Sequence, residues 1–92
     1  MSSPSARAGD DDATNYRSVA RAGIDRVRSL ADEGDWTEAA EVARRLKRVF
    51  GEAAAVLGPI PFEVFDGMQA ACLARDSDEL DDFVALAVEI FP

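Results

Sequence analysis

The chain has 92 residues, 48% of them apolar, and its 18 acidic and 10 basic side chains give a net charge of −8. That length suits one small domain, in which apolar burial only just exceeds the entropy of ordering the chain, so self-association is a natural source of extra stability. The charge excludes general attraction to nucleic-acid phosphates or anionic membranes unless positive side chains segregate locally. The apolar fraction excludes disorder throughout.

Cys72 is the only cysteine, so no internal disulfide is expected, and the first residues lack the apolar core of a secretion signal. No run of about 20 apolar residues offers a membrane span. These features predict a reduced, cytoplasmic protein without a membrane partner. Nine of the ten basic residues are Arg. This Asp/Glu-rich, Lys-poor balance is shared by salt-adapted proteins and by chains from high-GC genomes.

In chain order, residues 1–13 are rich in Ser, Gly and Asp and are expected to form a disordered acidic tail, with one helical domain over residues 14–92. From about Thr14 to Glu33, Tyr16, Val19 or Ala20, Gly23 or Ile24, Val27 and Leu30 or Ala31 recur at helical spacing. Gly23 lies on or beside that stripe, where it permits close approach of another helix. Arg17, Arg21 and Arg28 share another side, interrupted by Asp25.

Gly34 ends this helix, and Asp35 with Glu38 has the spacing of a capping box. A second helix is expected from Asp35 to Leu57, its stripe running through Ala39, Ala43, Leu46, Phe50, Ala53 and Leu57. Trp36 reads as a cover for the end of the core, or else as an exposed recognition anchor. Arg44, Arg45, Lys47 and Arg48 are spread around the polar faces, with Glu41–Arg45 and Arg48–Glu52 spaced to pair.

Gly58-Pro59-Ile60-Pro61 is a boundary, and Pro61 suits the first turn of a third helix carrying Phe62, Phe65, Met68, Cys72 and Leu73. Cys72 falls on the inferred buried face and reads as a structural thiol. Asp76-Ser77-Asp78-Glu79 opens a fourth helix over about residues 79–91, capped by either Asp76 or Asp78. Leu80, Phe83, Val84, Ala87, Ile90 and Phe91 form its stripe. The stripe is broad enough to complete a core or to join a second subunit.

Four helices with short turns after the first and third predict an all-α, compact four-helix domain made of two helical hairpins. Leu30…Asp35…Ala43 is loosely echoed by Leu73…Asp78…Leu86. Gly34-Asp35-Trp36-Thr37-Glu38-Ala39 resembles the turn and second-helix start of a tetratricopeptide-like repeat, and Ala39, Ala43 and Leu46 resemble its packing positions. The resemblance covers at most residues 23–57. It implies, as the alternative architecture, a short superhelical array that binds peptides or proteins. The two architectures differ in whether the first and last helices touch.

The chain contains no His, and one Cys cannot build a four-Cys zinc site. Neither a GxGxxG fingerprint, a Walker A sequence nor an HExxH motif is present. Asp76, Asp78, Asp81 and Asp82 lack the ordered ligands and central Gly of an EF-hand. The expectation is therefore a protein without enzymatic activity, cofactor, metal or small-molecule substrate. The leading functional reading is a helical protein-interaction or self-assembly module, possible dimers included, with Trp36, Phe83 and Phe91 as candidate contacts. The alternative is a small regulatory nucleic-acid-binding protein that uses Arg17, Arg21, Arg28, Arg44, Arg45 and Arg48 on phosphates.

Overall fold

A computed structural model describes the backbone of residues 8–92 and the side chains from residue 15 onward. Among the described residues five helices follow one another: α1 (Ala8–Asp32), α2 (Trp36–Glu52), the single turn α3 (Ala54–Leu57), α4 (Ile60–Ala74) and α5 (Ser77–Ile90). Helix α1 starts six residues before the expected Thr14. The rest of the predicted tail, residues 1–7, lies outside the described residues.

The two hairpin turns are built alike. At Gly34 (φ 81°) the backbone N–H donates to Ala31 O at 3.0 Å, and the Asp35 N–H donates to Leu30 O at 2.8 Å. These two bonds close α1 in a Schellman motif. Asp35 then caps α2, its Oδ1 accepting the Glu38 N–H at 3.2 Å. At the other turn Arg75 (φ 54°) donates to Cys72 O at 3.1 Å and Asp76 to Ala71 O at 3.0 Å. Asp76 caps α5 by accepting the Glu79 N–H at 3.1 Å. The cap left open between Asp76 and Asp78 is thus Asp76, because the left-handed residue before it delivers its side chain to the helix start.

These turns set the true register between the hairpins. Asp35 matches Asp76 and Glu38 matches Glu79, an offset of 41 residues, two fewer than the echo read from Leu73…Asp78. The offset carries the burial pattern with it. Ile24 and Phe65, Val27 and Met68, Leu30 and Ala71 are buried pairs in the first helices. Ala39 and Leu80, Ala43 and Val84, Leu46 and Ala87, Phe50 and Phe91 follow in the second. Each hairpin therefore buries the same face, and the hairpins meet through it.

They meet as a wedge. Helix α2 packs closely along α4, whereas α1 and α5 touch less extensively. At one end Phe50 is an aromatic hub, its ring centroid 5.0 Å from Phe65, 5.1 Å from Phe91 and 5.8 Å from Tyr16. Arg21 of α1 reaches the end of α5, donating from Nη1 to Phe91 O at 3.2 Å and to Pro92 O at 3.0 Å. First and last helices are in contact, so the domain is the compact bundle and not the open array.

Helix α2 stops earlier than expected. Its stripe continues to Ala53, but the chain kinks there and α3 adds one separate turn. Just before that break α4 approaches Gly51 closely: an added Cβ there would stand 2.8 Å from the Phe62 ring. Gly51 gives α4 room to cross and weakens the helix locally. Gly23 does the same for α1 and α2: a Cβ there would lie 2.6 Å from a methyl of buried Leu46.

Candidate interaction surfaces

Helix α5 presents two faces. Leu80, Val84, Ala87 and Phe91 enter the core. Phe83, Leu86 and Ile90 lie at three- and four-residue steps on its outer flank, toward α4. Phe83 rests on Gly67 of α4, so closely that any side chain at Gly67 would overlap its ring. Phe83 and Ile90 are half-buried, Leu86 is 46% exposed, and Ile60 at the start of α4 is 59% exposed. Ala70 and Ala74 of α4 are also exposed.

The first hairpin provides an internal comparison, since it has the same turns and buries the same positions. Where the second hairpin has Leu86, Gly67, Ala70 and Ala74, the first has Arg45, Arg26, Ser29 and Glu33. At these four positions the second hairpin is apolar or lacks a side chain where the first is polar or charged. Ile60, Phe83 and Ile90, by contrast, match the apolar Val19, Val42 and Val49, of which Val19 and Val49 are themselves 44% and 40% exposed. Charge divides similarly: residues 1–50 hold nine acidic and nine basic side chains, whereas residues 51–92 hold nine acidic and only Arg75. The whole net charge of −8 resides in the second half.

A second feature is the open side of the wedge. Arg28, Asp81, Val84, Ala85 and Val88 line a groove of about 390 Å³ between α1 and α5. Toward the hairpin turns a smaller cavity of about 60 Å³ is bounded by Arg28, Ala31, Asp32, Trp36, Ser77, Leu80 and Asp81. Trp36 is half-buried there and packs against the core. Of the candidate contacts, then, Trp36 closes the turn end of the core, Phe91 is buried at the other end, and Phe83 belongs to the outer face of α4 and α5.

Of the six arginines, Arg21, Arg44 and Arg45 have hydrogen-bond or ion-pair partners among the described residues. Arg21 holds the end of α5, and Arg28 borders the groove beside Asp32 and Asp81. Arg44 grips Glu41 through two hydrogen bonds, and Arg45 Nε stands 3.8 Å from the same carboxylate. The Arg44 hydrogen bond holds the Glu41 carboxyl below its ordinary range. Arg17 and Arg48 are exposed, and the predicted Arg48–Glu52 pair does not form. Lys47 ties α2 to α4 instead, with Nζ 2.9 Å from Asp66 and 3.2 Å from Gln69. The sequence offered no sign of the Arg21 and Lys47 links, because their partners are 70 and 19 residues away.

Cys72 is buried, and that burial pushes its thiol up to about 11. A thiol so raised stays protonated and unreactive at neutral pH. Among the described residues, no group of three His, Cys, Asp or Glu side chains is placed to hold a metal ion, and no helix is long and apolar enough to cross a membrane. The fold and surface define a small all-helical domain. No family model matches the chain, and no curated protein or solved structure matches it either.

Proposed function

We propose that this chain is a non-catalytic helical module that binds another protein through the outer face of α4 and α5. One observation carries the reading: Leu86 and Ile60 stay 46% and 59% exposed on two helices that hold acidic side chains and no basic one. Leu86 stands where the first hairpin has Arg45, although Ile60, Phe83 and Ile90 match the apolar Val19, Val42 and Val49. Scattered exposed apolar residues are ordinary on protein surfaces. An apolar stripe rimmed by acidic side chains, on two helices without a basic residue, fits a contact surface.

Site-directed photocrosslinking tests this. A benzophenone amino acid replaces Leu86 in one variant and Arg45, its counterpart on the first hairpin, in another. Illumination in the native cell extract is expected to give discrete protein adducts from position 86 and not from position 45. An adduct of twice the chain mass would identify self-assembly as the form of the interaction. Equal labelling from both positions, or none from position 86, contradicts the proposal.

A further inference from the structure

We infer that the partner element received by this face is a basic amphipathic helix of another protein, an inference that rests on the interaction reading above. The apolar stripe of Phe83, Leu86 and Ile90 follows one flank of α5, a helix of 14 residues. A second helix laid alongside presents its own apolar positions at the same three- and four-residue steps, which makes a helix the matching shape. The charged positions around the stripe are of one sign. Glu79, Asp82 and Glu89 stand on α5, Glu63 stands on α4, and neither helix contains a basic residue. Lys and Arg on the incoming helix therefore meet carboxylates along both edges, while their methylene stems extend the apolar contact.

A second copy of this chain fits less well. An isologous dimer through this face would place two acidic rims against each other. A contact between the acidic hairpin of one copy and the arginine-bearing hairpin of the next would be heterologous and would propagate into open chains. The sign of the rim thus favours a foreign, basic helix.

The test uses the full chain and three synthetic 14-residue probes, followed by titration calorimetry and backbone NMR. One probe has Leu on a helical stripe and Lys elsewhere. The second replaces every Lys with Glu, and the third scrambles the Lys/Leu order at constant composition. The expected result is saturable binding of the first probe, with shifts centred on Phe83, Leu86 and Ile90. Affinity should fall about tenfold for the scrambled probe and for Leu86→Gln, a loss of about 1.4 kcal/mol. Leu86 is half-exposed and its counterpart is Arg45, so the polar substitution leaves the fold intact, and unchanged amide shifts elsewhere verify this.

Equal binding of the ordered and scrambled Lys probes, or insensitivity to Leu86→Gln, would reduce the effect to general charge attraction and overturn the inference. Binding of the Glu probe in preference to the Lys probe would overturn the partner's charge while leaving the interaction surface standing. Concentration-dependent dimers abolished by Leu86→Gln would replace the foreign helix with a second copy. No probe binding, together with no crosslinks from position 86, removes both the partner and the surface.

Discussion

At the residue scale, Cys72 reports how tightly the α4 side of the core excludes water. Its thiol titrates near 9 when the chain is unfolded and at about 11 when burial withholds hydration from the thiolate. Between these values the native state holds the proton that the unfolded state has released, so stability falls as pH rises. At pH 10 this group alone should cost the native state about 1.4 kcal/mol relative to neutral pH. Urea unfolding of the wild type and Cys72→Ala at pH 7 and pH 10 isolates the contribution, since every other group is common to both. Equal losses in the two proteins would mean that the thiol is hydrated in the folded state. The burial itself was legible in the sequence, because Cys72 sits in step with Phe65 and Met68. Gly23 was legible as a site of close approach, but its neighbour Leu46 was not, since a helical period fixes a face and not the residue across from it.

At the element scale, the two turns share one geometry but supply different residues to it. Gly34 adopts φ 81° and Arg75 φ 54°, each preceding the Asp that caps the next helix. A side chain in the left-handed region costs roughly 1 kcal/mol, which glycine escapes. Gly34→Ala should therefore destabilise the protein by about 1 kcal/mol, and Arg75→Gly should stabilise it by roughly 0.5–1 kcal/mol. Denaturation midpoints at unchanged slope check both. Shifts of the same sign in the two variants would contradict the shared turn. Gly34-Asp35…Glu38 announced the first turn because glycine and capping box coincide. The second was harder to place: Arg75 gives no hint of a left-handed conformation, and Asp76 and Asp78 compete for the cap. The break after α2 was hidden for another reason. Ala53 and Leu57 continue the apolar period, so nothing in the stripe marks the break at Ala53.

For the whole molecule, the repeated pattern of buried residues explains why four major helices close on themselves. Two hairpins that bury the same face satisfy each other, and Arg21 fastens the last helix to the first. Periodicity was enough to read the helices and their pairing into hairpins. Closure was not readable, because an array and a bundle use the same stripes and differ only in which stripes meet. The outer face of α4 and α5 was partly readable through Phe83. Its contrast with the first hairpin emerged only when the turns fixed the offset of 41 residues and matched Leu86 to Arg45.

The hairpins shield their matched inner faces, whereas Leu86 and Ile60 stay exposed on the outer face of the second. Quenching of methyl NMR signals by a soluble nitroxide reads that distinction directly. Leu86 and Ile60, at 46% and 59% exposure, should be strongly bleached, while Ile24, Leu46 and Leu80, none more than 4% exposed, should retain their signals. Protection of Leu86 and Ile60 in the isolated monomer, or bleaching of Ile24, Leu46 and Leu80, would contradict the account.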